Sequence, residues 1–476
     1  MKTKIIFIIC LGVILNANFI SAQSTDSFGL KECINYAMSN NLQILQNEQL
    51  FGNASLDVQR SKSSILPTLN ANANGNNNFG RSIDPVTNQY INAQSQVFSS
   101  QLTTQWILYS GLSKMNDIRR AKWTETASKW SLQKLKDDIA LSVANQYLQV
   151  WLLKERKGQL ENQLQNTLNQ EKKTRILVDA GSLTKVKMLE VYAQKASDEA
   201  NLVDIDAQIV RAELALKQSM NFDLRQPLLL KHINISSQLV SYSEYDLNNT
   251  LDNRISQLPS VQSAQSSNMA NRYNLKSIQG LQYPTLSLSG SIRSAYSSIS
   301  RSFTFGNDGF EQIGILGFDT SQKVFGPRFK NNATAISFGE QLKNNFGQTV
   351  GLNLNFNIFN GLDTKYQIAQ AKYNLYTSDV NVKTAEVQGR NDVITAYENL
   401  KLMQKKYNSS QQKLETQKAL YTQTEVNYNL GALNYYDFNA ARTSFDNASI
   451  ELLNAQYELF FQTKVFEYYI GKQIID

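Results

Sequence analysis

The chain has 476 residues, a formal net charge of +7 and a mean hydropathy of −0.37. So small an excess of positive charge over this length does not indicate a nucleic-acid-binding surface. After the first 22 residues no segment approaches the about 18 consecutive apolar residues of a membrane-spanning helix, so any part that crosses a membrane must do so as strands.

Residues 1–22 are typical of a secretory signal peptide. Two lysines precede an apolar run at 5–15, and small residues before Gln23 suit cleavage. A membrane-anchoring helix is the alternative, but the run is shorter than the about 20 residues that it needs. Cys10 lies inside the run, which gives no support to a lipid-anchored N-terminus. Cleavage would leave Cys33 as the only cysteine, so no internal disulfide is expected.

Four stretches alternate apolar and polar residues with the two-residue period of a β-strand. The pattern is strongest from Gln348 to Phe359, where the even-numbered positions from Val350 are apolar. Strands are predicted at about 66–75, 97–108, 285–294 and 348–359, each close to the about 9–11 residues of a tilted membrane-crossing strand. The polar face is expected to line water through Gln101, Thr103, Gln105, Asn353, Asn355 and Asn357.

An internal duplication organises the rest of the chain. Two offsets in residue number relate the copies. The long offset, 250 residues, aligns 106–112 with 356–362 and Gly181 with Gly431, and the short offset, 217 residues, aligns 67–69 with 284–286. The two offsets are unequal, which places an insertion between the two strands of the second copy. Length variation in one loop marks that loop as exposed. The predicted repeats cover 23–245 and 246–476.

Each copy is predicted to contain a leading helix, two strands, a very long helix and a return helix. The predicted helices cover 30–63, about 112–180 and about 184–220 in the first copy, and about 362–430 and 435–470 in the second. At 1.5 Å per residue a long helix measures roughly 100 Å, and its apolar residues recur at steps of three and four, as in a coiled coil. Segment 221–257 is expected to form an irregular belt, and 75–95 and 295–346 to form loops.

Four strands cannot close a barrel, for which about eight is the practical minimum. Unpaired backbone amides in hydrocarbon cost several kcal/mol each, so the chain must assemble into a barrel of about 8, 12 or 16 strands. The long helices of the same assembly would surround a hollow cylinder. The predicted fold class is therefore a mixed α and β membrane protein that forms a conduit.

Enzyme functions are not supported by the sequence. It contains a single histidine, His232, and neither a glycine-rich phosphate loop nor a Gly-x-Ser-x-Gly elbow. His232 has no neighbouring cysteine or histidine that could complete a metal site. No catalytic residue, metal or cofactor is predicted.

The duplicated plan, the strand starts Leu66-Pro67-Thr68-Leu69 and Tyr283-Pro284-Thr285-Leu286, and the two helix turns resemble the TolC family of outer membrane efflux proteins. The resemblance implies a homotrimer with a 12-stranded barrel in the outer membrane of a Gram-negative cell and a coiled-coil helical tunnel in the periplasm. It also implies a periplasmic adaptor and an inner-membrane pump as partners, in drug efflux or type I secretion. The alternative is a periplasmic coiled-coil structural or adhesive protein without a channel.

The family closes its periplasmic end at the helix turns, which implies roles for several residues here. Tyr428 matches a gating tyrosine, and Asp437 matches an aspartate of the constriction. Asp437 could instead cap the return helix. Lys187 stands where an acid is expected, so it could pair with Asp437 or remain a solvated residue. The turn residues expected to dock the adaptor are Gly181, Ser182, Leu183, Gly431, Ala432 and Leu433.

Overall fold

The computed structural model describes residues 27–83, 88–92, 94–233, 235, 254–317 and 321–472. Its helices are α1 (Leu30–Asn40), α2 (Leu42–Ser63), α3 (Ser113–Asp179), α4 (Lys185–Met220), α5 (Pro259–Gly280), α6 (Phe338–Asn344), α7 (Asp363–Asn429) and α8 (Tyr435–Tyr469). Its strands are β1 (Thr68–Asn78), β2 (Arg81–Ile83), β3 (Tyr90–Asn92), β4 (Ser95–Ser110), β5 (Thr285–Ser297), β6 (Arg301–Ile315), β7 (Lys323–Ala335) and β8 (Gly347–Asn355). The predicted signal peptide lies outside the described residues.

The chain divides into two compact units. The helical unit comprises Met1–Phe51, Ala127–Ala264 and Val382–Asp476, and the strand unit comprises Gly52–Thr126 and Gln265–Asn381. No helix in the described ranges is both long enough and apolar enough to cross a membrane. The predicted repeat boundary between residues 245 and 246 falls outside the described residues and stays a prediction.

The helices follow the two offsets of the duplication. Helices α2 and α5 both have 22 residues, and their first residues, Leu42 and Pro259, are separated by the short offset. Helices α3 and α7 both have 67 residues, and their first residues are separated by the long offset. Gly111 and Gly361, which precede the long helices, have φ of 61° and 67°. The predicted internal duplication is therefore confirmed at the level of the backbone.

Gly111 is required by a close approach as well as by its backbone angle. A Cβ atom at this position would overlap the carbonyl oxygen of Gly280, the last residue of α5. A side chain at Gly280 would meet the backbone of the turn before α3 in the same way. The end of the second leading helix therefore packs against the start of the first long helix without side chains between them.

The first leading helix differs from its prediction because it is broken at Asn41. The backbone of Asn41 is extended, with φ −68° and ψ 124°. Its side-chain oxygen accepts a hydrogen bond from the backbone N–H of Gln43 at 2.9 Å, which caps α2. One continuous helix over 30–63 was therefore wrong, because an asparagine that bonds to the following backbone favours a helix start over a helix interior.

The four long strands form one antiparallel sheet in the order β1-β4-β5-β8. Asn70 pairs with Thr103, Thr103 pairs with Ser291, and Ser291 pairs with Thr349, so polar residues share one face. On the other face Trp106 pairs with Leu288, which pairs with Leu352. The register brings five of the predicted water-facing residues onto the polar face: Gln101, Thr103, Gln105, Asn353 and Asn355.

Strand β8 ends earlier than predicted. It stops at Asn355, whose partner Thr285 is the first residue of β5. Beyond that point β8 has no neighbour on this side, so Phe356 to Phe359 are not in a strand. Asn357, predicted to face water from the strand, therefore lies outside it. Strand β4 continues to Ser110 because a bulge between Ile107 and Tyr109 restores its pairing with β5.

The region predicted as a loop at 295–346 contains regular structure. Strands β6 and β7 pair with each other as a long antiparallel hairpin, in the place of the predicted insertion. The short helix α6 follows, and its buried Gln341 hydrogen-bonds the backbone N–H and carbonyl of Ser297 at 2.9 and 3.0 Å. In the other predicted loop, β2 and β3 form a three-residue ribbon.

The core of the helical unit repeats between the two copies. The fully buried Val143 and Val393 are related by the long offset, as are the fully buried Leu216 and Phe466. Around them pack two apolar clusters, one with Cys33, Ile34 and Tyr147, the other with Leu258, Val261 and Leu400. Part of the predicted belt lies against the first cluster, since the Tyr147 hydroxyl donates to the Lys231 carbonyl. Residue 234 and residues 236–253 of the belt are outside the described part.

Candidate gate at the helix turns

Two turns join the long helices to their return helices, α3 to α4 and α7 to α8. Gly181 and Gly431 are left-handed, with φ of 76° and 74°. Each is followed by a residue whose N–H donates back to the helix, Ser182 to Leu177 at 2.8 Å and Ala432 to Asn427 at 2.9 Å. Glycine is favoured here because a Cβ is strained at this φ, and the bonds satisfy the last carbonyls of each long helix.

The second turn has a side-chain cap. Asn434 accepts a hydrogen bond from the backbone N–H of Asp437 at 2.9 Å and donates to the Asp437 carboxylate at 2.7 Å. The carboxylate also lies in the first turn of α8, where the helix dipole favours negative charge. Asn434 is therefore the cap of α8, and Asp437 supports this cap through its backbone N–H and its carboxylate. Thr184, the equivalent of Asn434 in the first turn, makes no side-chain cap.

Lys187 pairs within its own helix. Its Nζ lies 2.9 Å from a carboxylate oxygen of Glu190, one turn further along α4. Among the described residues of the chain, no ion pair joins Lys187 to Asp437. The predicted pairing is therefore wrong within one chain. Lys187 instead pairs with Glu190 on its own helix face, and the Asp437 carboxylate is hydrogen-bonded to Asn434.

Tyr428 connects the two helix hairpins. Its hydroxyl accepts a hydrogen bond from Gln170 of α3 at 2.7 Å, across to the other hairpin. Its ring stacks on Phe438 of α8, with ring centres 4.6 Å apart and planes 10° apart. Tyr435 and Val191 are buried in the same cluster. Burial raises the pKa of both Tyr428 and Tyr435, so both phenols stay neutral at physiological pH.

A cavity of about 460 Å³ lies between the two turns. It brings together several residues predicted from the sequence to act at the gate or the docking surface: Lys187, Leu183, Tyr428, Gly431 and Leu433. Asp437, Gly181, Ser182 and Ala432 do not line it. Gln170, Val191 and Tyr435 also line the cavity and had not been predicted from the sequence.

A buried polar network, also missed in the sequence, joins the hairpins further from the turns. Asp198 of α4 is 1% exposed. Its carboxylate accepts hydrogen bonds from Thr167 at 2.6 Å and from Gln163 and Gln194 at 2.9 Å. Three donors compensate the loss of hydration of this charge.

Arg442 extends this network to α8. It is 5% exposed and donates to the backbone carbonyl of Gln163 at 2.6 Å. Its Nε lies 3.7 Å from Asp446, forming an ion pair without a hydrogen bond. Burial raises the pKa of Asp446, the Arg442 cation opposes that shift, and the Asp198 charge adds to it. Helices α3, α4 and α8 are thus joined by one set of buried charges.

The network has a sequence signal. Val191, Asp198 and Ile205 are spaced by seven residues and are all buried, so the aspartate occupies a position of the apolar seam. A charge at a seam position of a coiled coil is costly unless a partner helix supplies hydrogen bonds. A single charged residue within this seven-residue apolar pattern therefore predicts a buried, hydrogen-bonded carboxylate at Asp198.

His232, the only histidine, is remote from the turns. Its Nε2 lies 2.9 Å from Glu155, and its ring packs edge-on against Trp151. Within the described ranges, no group of three or more His, Cys, Asp or Glu side chains is placed to hold a metal ion.

Comparison with known proteins gives two further findings. The family model described as "Outer membrane efflux protein" matches residues 33–221 and 250–460, which is most of the chain. No protein in the curated set matches the sequence.

The fold is similar to those of solved outer-membrane and transmembrane-channel proteins. CusC has a TM-score of 0.74 and 16% identity, over 93% of this chain and 92% of that one. VceC of Vibrio cholerae has a TM-score of 0.73 and 14% identity, over 94% and 96%. The open state of the MtrE outer membrane channel of Neisseria gonorrhoeae has a TM-score of 0.70 and 15% identity, over 93% and 88%. At these identities the likeness concerns the fold.

Proposed function

Because the chain belongs to the outer membrane efflux protein family, we propose that it is the outer-membrane exit duct of a tripartite efflux or type I secretion system. It acts as a homotrimer in the outer membrane of a Gram-negative cell, with a large periplasmic part. A periplasmic adaptor and an inner-membrane pump deliver small molecules or polypeptides to it. The duct itself catalyses no reaction.

The observation that carries this proposal is the four-stranded sheet with an exposed apolar face. Leu352 and Leu354 of β8 are 67% and 70% exposed, and Leu69 of β1 is 68% exposed. Strands β1 and β8 are the two edges, and in the described chain neither pairs with a further strand of this sheet. An apolar sheet with two open edges suits a bilayer only when other copies close it, because the edge amides need partners there.

Three copies give a closed barrel of the family's type. Each copy would place its β8 beside β1 of the next copy, which removes every edge. Twelve strands exceed the about eight required for closure, and the polar face of the sheet then lines the channel. The asparagines, serines and threonines of that face discriminate little between solutes, so substrate choice belongs to the pump and adaptor.

The helix turns form the periplasmic gate and docking surface in this proposal. Tyr428 holds the two hairpins together through Gln170, and Asp437 places a negative charge near each second turn. Threefold symmetry repeats both groups around the axis, so a ring of carboxylates would attract cations at a narrow neck.

The test is the mass and conductance of the purified protein. Sedimentation in detergent should give a trimer, and planar bilayers should show discrete channel currents. As a matched pair, Leu102→Lys should reduce insertion, because Leu102 lies in the middle of β4 on the apolar face and a lysine facing lipid costs about 2–4 kcal/mol near the bilayer centre. Thr103→Lys, on the polar face, should insert normally and alter conductance. A monomer, or a trimer without currents, would contradict the proposal.

A further inference from the structure

A second cavity lies in the strand unit, between the last turns of α2 and the first turns of α3. Its volume is about 350 Å³. Its lining is polar and charged, and includes Asp57, Arg60, Ser61, Ser64, Lys114 and Arg120. None of these residues belongs to the sheet or to the helix turns described above.

The charges around this cavity are only partly paired. Arg120 lies 3.6 Å from Asp117, which also accepts a hydrogen bond from Ser277 at 2.8 Å. Asp57, Arg60 and Lys114 make no side-chain hydrogen bond or ion pair with any other described residue. Within that part of the chain, the cavity thus presents one free carboxylate and two free cations, although Asp57 and Arg60 share a helix face at a spacing of three.

The position of the cavity relates it to the membrane boundary. Ser64 is followed by Ile65, whose carbonyl accepts a hydrogen bond from the Trp106 indole at 2.8 Å. Trp106 and Tyr109 are half-exposed at the helix-side end of β4, as expected of aromatic residues at a membrane interface. Lys114 follows the last residue of β4 by four positions, just after the turn that begins α3. With the strands in a bilayer, as proposed above, the cavity would lie at the depth of lipid headgroups.

We propose that this cavity binds the headgroup of a zwitterionic phospholipid that carries a primary ammonium and a phosphodiester. The ammonium would bind Asp57, and the phosphate would bind Arg60 and Lys114, with the Ser61 hydroxyl as a further donor. The inference rests on the proposed function, because it requires the strands to lie in a bilayer. It assigns a lipid site at the junction between helices and barrel.

The chemistry distinguishes among lipids. A phosphatidylglycerol headgroup has no cation for Asp57, so that carboxylate would stay unpaired beside a second negative charge. A phosphatidylcholine headgroup has a trimethylated ammonium that cannot donate a hydrogen bond. Phosphatidylethanolamine supplies both charges and three N–H donors, so its ammonium can bind Asp57 while its phosphate binds both Arg60 and Lys114.

Native mass spectrometry of the detergent-purified trimer tests the site. Phosphatidylethanolamine, phosphatidylglycerol and phosphatidylcholine with matched acyl chains are added in turn, and separate samples receive glycerophosphoethanolamine or inorganic phosphate. We expect phosphatidylethanolamine to be retained about tenfold better than the other lipids. Asp57→Asn should abolish that preference, and Arg60→Gln should weaken retention of every lipid. Lys122→Gln, which removes an exposed cation outside the cavity, should change neither.

Each outcome has one meaning. Equal retention of the three lipids by the wild type, a preference that survives Asp57→Asn, or lipid retention that Arg60→Gln leaves unchanged overturns the proposal. Tight binding of glycerophosphoethanolamine or inorganic phosphate would assign the cavity to a free solute and overturn the lipid assignment. Channel currents are recorded for all variants. Currents without lipid preference contradict the lipid site alone, whereas a wild type without currents contradicts the proposed function.

Discussion

The two helix turns of this chain have the same backbone and different side chains. Gly181 and Gly431 differ in φ by only a few degrees, and in each turn the residue after the glycine donates the same hydrogen bond back to the long helix. Yet the first turn has Lys187 paired with Glu190 and no side-chain cap, whereas the second has the Asn434 cap and the Tyr428 aromatic cluster. Duplication therefore preserved the geometry that builds a turn, and left the chemistry of each turn free to diverge.

Asp198 is the clearest divergence, and its removal should have the largest effect. Its counterpart in the second copy, related by the long offset, is the fully buried Ala448. Asp198→Ala should leave the donors of Thr167, Gln163 and Gln194 without an acceptor, and lower the free energy of local opening by about 3 kcal/mol. Hydrogen exchange, measured by mass spectrometry on peptides from α3, α4 and α8, reports this opening.

The control for Asp198 is Asp204 on the same helix. Asp204 is exposed, so Asp204→Ala should change exchange by no more than about 0.5 kcal/mol. If the two variants exchange alike, the Asp198 carboxylate does not hold α3 and α4 together.

The shared backbone predicts equal costs at the two glycines. Gly181→Ala and Gly431→Ala should each destabilise their own turn by about 1–2 kcal/mol, because a Cβ is strained in the left-handed region. Hydrogen exchange of the two turn peptides measures both costs in one molecule. Gly158→Ala should instead stabilise its helix, because Gly158 is inside α3 and a Cβ there meets open space. Unequal costs at the two turns would show that their backbones are not equivalent.

The caps predict an asymmetry. Asn434→Ala removes the side-chain acceptor at the start of α8 and should loosen the second turn by about 1 kcal/mol. Thr184→Ala at the equivalent position should have almost no effect, because Thr184 makes no cap. Exchange rates at the first amides of α4 and α8 distinguish the two. A similar change in amide exchange in both variants would show that the Asn434 cap does not stabilise the second turn more than Thr184 stabilises the first.

Tyr428→Phe isolates the bond between the hairpins. The variant keeps the ring that stacks on Phe438 and loses only the hydroxyl that binds Gln170, a loss of about 0.5–1.5 kcal/mol. We expect the reconstituted pore to open more often, measured as open probability in planar bilayers. Tyr436→Phe is the control, because Tyr436 is exposed beside the cluster. An unchanged open probability would mean that Tyr428 packs the turn without gating it.

Asp437→Asn should have the smallest effect on structure. Asparagine has the same shape, so we expect stability to change by no more than about 0.5 kcal/mol. Selectivity for cations should nevertheless fall, seen as a smaller reversal potential in a salt gradient. Asp179→Asn, at the end of α3, is the control for selectivity. An equal fall in cation selectivity in this variant would show that any negative charge near a turn has the effect. If Asp437→Asn leaves both conductance and selectivity unchanged, Asp437 has no role in the gate and only supports the Asn434 cap of its helix.

The elements that could be predicted were those with local signals. Gly181 and Gly431 end the predicted helices because only glycine takes that conformation at no cost, and the alternation around Leu352 and Leu354 placed a strand. The long offset then located each element of the second copy from the first. Family membership was predictable from the same features.

The elements that could not be predicted depend on distant partners. The end of β8 is set by where β5 begins, and the length of β4 is set by a bulge. Gln170 came to the candidate gate only because Tyr428, far away in sequence, packs beside it. The β6–β7 hairpin was predicted as a loop because glycine and asparagine interrupt its alternation.

The β6–β7 hairpin has a consequence for symmetry. In the proposed trimer, three copies of the duplicated chain would contain six similar repeats, so the strands and long helices would approach sixfold order around the axis. Among the described residues a long hairpin of this kind occurs only in the second copy, so it would reduce that end of the proposed barrel to threefold order. The same reduction would hold at the helix turns, where turns with Lys187 and turns with Asp437 would alternate. Identical partner chains that docked on both kinds of turn would therefore bind in two non-equivalent ways.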